Sequence, residues 1–243
     1  MTDPSFESPE ALDLLRRRVS QFGFWGITAG LFFIVIRVLT EAPVADHGDP
    51  SAYLGSWLAH ALGTGFLGLT WLLTRRSKRK AGFVLSVEMA GIVGSCTAYA
   101  TMGLFIPSAW RPDWIVILAL THVMVIRAVI VPSSARRTFA ISLVLTAPVL
   151  VVAYFHAPAI GAVWAPVVEQ LYGAPPELDR HVWISLGWTF SWWAAAMGIC
   201  TLTSQVIYGL RREVRKVKRL GQYTLEERIG QGGLGGGFKA RHS

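Results

Sequence analysis

Six stretches of this chain are each apolar and long enough to cross a lipid bilayer, roughly 21–40, 53–74, 82–106, 113–131, 136–156 and 182–208. About 20 residues of helix span the hydrocarbon core. Backbone amides inside hydrocarbon find no water, so each stretch must satisfy its own hydrogen bonds as a helix. Composition agrees: 52% of residues are hydrophobic and 16% charged, against about 25% charged in soluble domains. The expected fold is an all-α membrane protein, a six-transmembrane-helix bundle.

The linkers set its orientation. Lys and Arg cluster on every second linker: Arg16, Arg17 and Arg18; then Arg75, Arg76, Lys78, Arg79 and Lys80; then Arg136 and Arg137; then Arg211, Arg212, Arg215, Lys216, Lys218 and Arg219. The intervening linkers carry Arg111 and Arg180 beside Glu41, Asp46, Asp49, Asp113, Glu169, Glu177 and Asp179. Basic linkers stay in the cytoplasm, so both termini are expected there, in a multi-pass protein of the inner (plasma) membrane. The formal net charge of +8 then faces anionic headgroups of the bilayer, and nucleic acid is not an expected partner. No short apolar core with a small-residue cleavage site precedes the first span, so it is read as a retained helix. Ser8, Pro9 and Glu10 suit the start of a short N-terminal helix. The linker 157–181 holds Pro158, Pro166, Pro175 and Pro176 and reads as a helix-breaking loop. Cys96 and Cys200 lie in apolar runs without metal-ligand spacing and read as packing residues.

Ionisable groups within spans are candidate functional residues. Glu88 on the third span and Arg127 on the fourth fall at matched depth near the inner surface, which predicts an intramembrane pair. Its reading is structural glue or a sensing, proton-linked site. Arg37 and His60 share a depth near the outer surface; Arg37 is expected to snorkel outward, and His60 reads as a packed neutral histidine. Gly63, Gly65, Gly68, Gly91 and Gly94 offer surfaces for close helix contact. Of the tryptophans in the sixth span, Trp183 reads as interfacial, and Trp192 and Trp193 as packed in the bundle.

Beyond Tyr208, Val214, Val217 and Leu220 recur at helical spacing among six bases, predicting a juxtamembrane helix over 209–221. Tyr223, Leu225, Glu227 and Ile229 then alternate with Thr224, Glu226 and Arg228 at the period of a strand. Gly230, Gly232 and Gly235 come next in G-x-G-x-x-G spacing and lead into Phe238-Lys239-Ala240-Arg241. A dinucleotide-binding unit would place a helix and a later acidic residue after these glycines; strand, glycine turn and strand suit a short β-hairpin instead. The stretch 220–242 resembles the opening of the catalytic domain in bacterial membrane-bound serine/threonine protein kinases of the eukaryotic type. There Tyr223 leads the first strand, Ile229 precedes the loop, Leu234 stands where that family has Met, and Phe238 where it has Tyr. Gly237 departs from the valine that covers adenine in the family.

The resemblance implies that the backbone around Ile229, Gly230, Gly232, Gly233, Gly235 and Gly237 covers ATP, with Mg as its companion ion. It covers under a tenth of the chain. The later lysine, H-R-D and D-F-G motifs that phosphoryl transfer needs do not occur after it within this sequence, so the chain alone is expected neither to bind ATP nor to catalyse. Four parts are expected: a cytoplasmic segment 1–20, the transmembrane domain 21–208, the juxtamembrane helix 209–221 and an incomplete kinase domain 222–243. The expected function is a membrane sensor or anchor for such a kinase, acting as a homodimer where paired kinases phosphorylate each other. The alternative is a small transporter or channel-like protein with an incidental glycine-rich tail.

Overall fold

Long apolar runs without access to water close their backbone hydrogen bonds locally, and the chain accordingly folds into helices. A computed structural model describes residues 9–41, 50–76, 79–131, 133–173, 178–220, 223–232 and 235–242. Within them run α1 (Pro9–Glu41), α2 (Pro50–Arg75), α3 (Ala81–Leu104), α4 (Pro112–Ile130), α5 (Ala135–Val144), α6 (Thr146–Tyr172) and α7 (Leu178–Leu220), then β1 (Tyr223–Gly232) and β2 (Gly235–His242). Ser8, Asp46, Asp49, Lys78, Pro175, Pro176, Glu177, Gly221, Gly233 and Leu234 lie outside the described residues.

Five helical stretches are long and apolar enough to cross a membrane: Ala11–Thr40, Ala81–Leu104, Pro112–Ile130, Ala135–Leu171 and Arg180–Leu210. Leucines, phenylalanines and tryptophans on their outer faces are exposed, among them Phe32, Leu118, Phe155 and Leu202. Such a continuous apolar girdle is characteristic of a surface in lipid. α2 is missing from the five because its serine, histidine, threonines and glycines lower its hydropathy. Those residues point inward: Ser56, His60, Thr64, Thr70 and Thr74 are buried, while Leu54, Leu58, Leu62, Leu69 and Leu72 are exposed.

α1 and α2 pack antiparallel. Arg37 of α1 meets Ser56 near the start of α2, while Gly23 meets Trp71 near its end. Gly63 and Gly91 let α2 and α3 close up: a Cβ at Gly63 would lie 2.6 Å from the Tyr99 ring, and one at Gly91 2.0 Å from Thr70 Oγ1. Gly68 and Gly94 also face neighbours closely, whereas Gly65 faces open space. The core runs down the middle through Leu15, Phe22, Val84, Ile92, Leu120 and Trp193.

Two expectations fail between 135 and 181. The fifth apolar stretch is broken at Leu145, where backbone φ −74° and ψ −6° end α5. Pro148, three residues on, has no N–H to bond the Val144 carbonyl. The predicted loop 157–181 is instead helical as far as Tyr172, with Pro158 and Pro166 inside α6. Each proline deletes one backbone bond, and apolar surroundings favour keeping the rest of the ladder closed. Packing holds the extension: Ala157 and Ile160 are buried, and Gly161 lies against the His181 ring of α7. Gly173, at φ 77°, is the residue that ends the helix, in a conformation glycine adopts without strain.

α7 is one helix of 43 residues, about 65 Å long at 1.5 Å per residue. It starts beside α6 and continues to Leu220. β1 and β2 pair antiparallel, with Tyr223 opposite His242 and Gly232 opposite Gly235. Register shifts fall between Leu225 and Glu227 and between Arg228 and Gly230.

Candidate functional site

Two polar clusters lie inside the apolar bundle, one towards each end. The first is built on Glu88 and Arg127, both fully buried. Arg127 Nε donates to Glu88 Oε1 at 2.9 Å. Its Nη1 donates to Thr138 Oγ1 at 3.0 Å and its Nη2 to Ser133 Oγ at 3.1 Å. The second carboxylate oxygen of Glu88 accepts from Arg137 Nη2 at 2.7 Å. Thr138 shares a 2.8 Å hydrogen bond with Ser204 of α7. Charge buried this deeply is tolerable only when paired and hydrogen-bonded. The guanidinium fork meets three different acceptors, so one side chain ties α3, α4, the 133–134 turn and α5, and through Thr138 reaches α7.

The sequence points to Glu88 and Arg127. It does not point to Arg137, which reads as a linker cation, nor to Ser133, Thr138 and Ser204. No sequence signal singles out Thr138 or Ser204, since each has further hydroxyl residues nearby on its helix, Ser142 after Thr138 and Thr201 before Ser204. Arg137 keeps 27% of its side chain exposed, so it sits where the cluster opens outward.

The second cluster surrounds Arg37 and His60. Arg37 Nη2 donates to Ser56 Oγ at 2.6 Å and Nη1 to the Ser56 carbonyl at 3.3 Å. Its guanidinium also lies 4.6 Å from the Trp57 ring centroid. The guanidinium thus lies against α2, between Ser56 and Trp57. His60 Nε2 lies 3.2 Å from the Gly30 carbonyl and Nδ1 3.5 Å from Arg37 Nη1. A carbonyl only accepts and a guanidinium only donates. The Gly30 carbonyl therefore takes its hydrogen bond from Nε2. Beside it, Thr64 and Tyr99 join hydroxyls at 3.2 Å.

Arg37, Ser56, His60 and Tyr99 line a cleft of about 810 Å³ between α1, α2, α3 and α4. Its other walls carry His122 of α4 among apolar groups, with Leu67, Val123 and Ile126 towards the bundle centre and Phe105 and Trp110 towards the end. Nearby, His156 clamps the same end: Nε2 donates to the Gly103 carbonyl at 3.0 Å and Nδ1 accepts from Ser108 at 2.9 Å. Arg111, in a left-handed conformation at φ 53°, forms a two-pronged pair with the buried Asp113 at 3.1 and 2.8 Å.

Trp193 is 1% exposed and donates to Thr146 Oγ1 at 3.0 Å. Trp192, expected to pack inside, is 49% exposed. Adjacent residues on a helix point about 100° apart, so burying Trp193 turns Trp192 outward, where it meets the Trp114 ring.

Gly230, Gly232, Gly235 and Gly237 fall in the β1–β2 ladder, with Gly230 opposite Gly237. Ile229 lies in β1, and Gly233 lies outside the described residues. Among the described residues, no three His, Cys, Asp or Glu side chains converge as metal ligands would. Comparisons with family models, with curated proteins and with solved structures returned no match.

Proposed function

We propose that this chain is the membrane-embedded sensor and anchor portion of a serine/threonine protein kinase, without the catalytic residues itself. The observation that carries the reading is α7. It is packed into the bundle at Trp193, tied to the Glu88–Arg127 cluster at Ser204, and continues as helix to Leu220. A helix transmits rotation or displacement along its axis, so a change of packing in the bundle is delivered to the segment beyond Leu220. That segment is a strand, glycine turn and strand whose sequence resembles the kinase opening. ATP and Mg belong to the catalytic region that the resemblance implies.

In this reading the bundle has six spans, with α2 as the second and α5–α6 together as the fifth. The inside-out face of α2 supports it, with leucines outward and hydroxyls inward. Both termini are cytoplasmic, because Arg75, Arg79, Lys80, Arg136 and Arg137 all fall at the end of the bundle where α7 exits. Pairing of two bundles would bring two catalytic domains together for mutual phosphorylation.

The decisive test is the reading frame beyond Ser243. A lysine strand, H-R-D and D-F-G in frame are expected, and a frame encoding an unrelated domain refutes the proposal. Transport is less well supported. The cleft has a floor, since Leu15, Val19, Phe22 and Val84 beneath it are fully buried. Liposomes bearing the chain are expected to show no solute flux above empty vesicles.

A further inference from the structure

We propose that the cleft binds a neutral, membrane-soluble hydroquinone, with its two ring oxygens on Tyr99 and His122 and its aliphatic tail leaving into the bilayer between α1 and α4. The site is independent of any kinase beyond α7.

Two side chains in the cleft leave hydrogen-bonding capacity unmet at hydrocarbon depth. The first is Tyr99, 6% exposed, whose hydroxyl shares one hydrogen bond with the buried Thr64 at 3.2 Å. Two hydroxyls bring two protons, and among the described residues the pair makes no other hydrogen bond. One O–H is therefore left without an acceptor, which is costly where water is excluded. Tyr99 is the member of the pair that lines the cleft. The second is His122, also part of the lining. Its Nδ1 donates to the Leu118 carbonyl at 2.6 Å, since a carbonyl only accepts. Its Nε2 has no partner among the described residues, and the residue is exposed. It stands ten residues into α4, about 15 Å from the start of a helix long enough to cross the membrane. A polar ring at that depth calls for a partner.

The two groups stand at similar depth. α3 and α4 meet at Gly103 with Val116 and again at Glu88 with Arg127, so they run antiparallel. Counting inward from the first contact, Tyr99 lies four residues along α3 and His122 six along α4, about 6 and 9 Å. They also flank the cleft. The Tyr99 hydroxyl reaches α2 at Thr64, and the His122 ring meets Phe33 of α1 with centroids 5.9 Å apart.

These groups choose the ligand. A hydroxyl both donates and accepts, so it satisfies Nε2 whether or not that nitrogen carries a proton. A carbonyl satisfies it only when protonated. With Nδ1 already donating, that places an imidazolium in lipid, and among the described residues no acidic side chain lines the cleft. The second oxygen accepts from the Tyr99–Thr64 pair. An aromatic ring holds two oxygens apart without folding, and Phe33, Phe105 and Trp110 offer surface for it to stack on. A volume of about 810 Å³ is typical of a small-molecule site. Arg37, engaged by Ser56 and Trp57, takes no part. Phe33 and Leu118 line the cleft and are exposed, so the gap between α1 and α4 opens to the bilayer and admits the tail.

The test uses the full chain in nanodiscs of phosphatidylcholine, titrated without oxygen with tritiated decyl-1,4-hydroquinone. Saturable binding is expected, displaced by the unlabelled compound and at least about fivefold less well by the corresponding quinone. Tyr99→Phe and His122→Leu are each expected to weaken binding about five- to tenfold, the loss of one hydrogen bond. His122→Gln, which still donates and accepts, is expected to retain most of it. Should Tyr99→Phe fail to assemble, His122→Leu at its exposed position and the preference for hydroquinone over quinone decide the matter. Non-saturable uptake equal in every variant overturns the site. Quinone binding as tightly as hydroquinone, or an affinity unmoved by either substitution, overturns the assigned contacts.

Discussion

Replacing Arg127 with leucine tests whether the buried cluster holds the bundle together. The side chain donates three hydrogen bonds, to Glu88, Thr138 and Ser133. Losing the two hydroxyl contacts is largely compensated, because Thr138 still bonds Ser133 at 3.4 Å and Ser204 at 2.8 Å. Losing the contact to Glu88 is not. A carboxylate with no exposed surface keeps only Arg137, at 2.7 Å. Removing one partner of a buried ion pair costs about 3–5 kcal/mol, and the surviving arginine places this case at the lower end. The expected loss is about 3 kcal/mol, roughly a hundredfold in the folding equilibrium. Glu88→Leu is expected to cost a similar amount, and the double variant much less than the sum, because two leucines bury no charge and Arg137 can swing out. The assay is reversible unfolding in mixed micelles by SDS titration, with all four proteins compared as a double-mutant cycle. Arg127→Leu within about 1 kcal/mol of the parent, or a double variant equal to the sum of the singles, would refute the reasoning.

Packing and topology supply further tests. Gly91→Val places a Cβ against Thr70 Oγ1 and is expected to cost about 1–3 kcal/mol by forcing α2 from α3, measured by the same titration. Trp193→Ala is expected to cost about 3–5 kcal/mol, whereas Trp183→Ala, at a position 73% exposed, is expected to change stability by under about 0.5 kcal/mol. Cysteines introduced at Arg79 and at Tyr53 are expected to react with an impermeant maleimide from opposite sides of the membrane. Reaction from the same side shows that α2 does not span.

How much of the fold and site is legible in the sequence depends on the kind of signal. Helices α1, α3 and α4 are, because a long apolar run in lipid has one available backbone solution. The pairing of Glu88 with Arg127 is, because opposite charges at equal depth on consecutive antiparallel helices have few other places to go. The fate of Pro158 and Pro166 is not. Proline's rule as a helix breaker is drawn from water, which takes up the freed carbonyl, and the α6 extension is held by contacts with α7 that local sequence does not encode. The cleft itself leaves no trace in the sequence, since a void is a property of four helices together.

The cleft and the buried cluster are joined by the two helices they share. Tyr99 and Met102 of α3 line the cleft, and Glu88 lies about three turns further along the same helix. On α4 the two sites touch: Ile126 is part of the cleft floor, and the next residue is Arg127. Any shift of α4 at Ile126 moves the guanidinium that holds Thr138, which in turn holds Ser204 on α7. Coupling of this kind must be reciprocal. Breaking the cluster with Arg127→Leu is therefore expected to change access to the cleft, read as the rate at which a cysteine placed at Ala119 reacts with a thiol reagent, by about 5-fold or more, although Arg127 does not line the cleft. Filling the cleft with Ala119→Phe should in turn change the mobility of a spin label placed on α7 at Gly209. Reactivity that is identical with and without Arg127→Leu, with both proteins folded, would show that the two sites are independent and that α7 takes no instruction from the cleft.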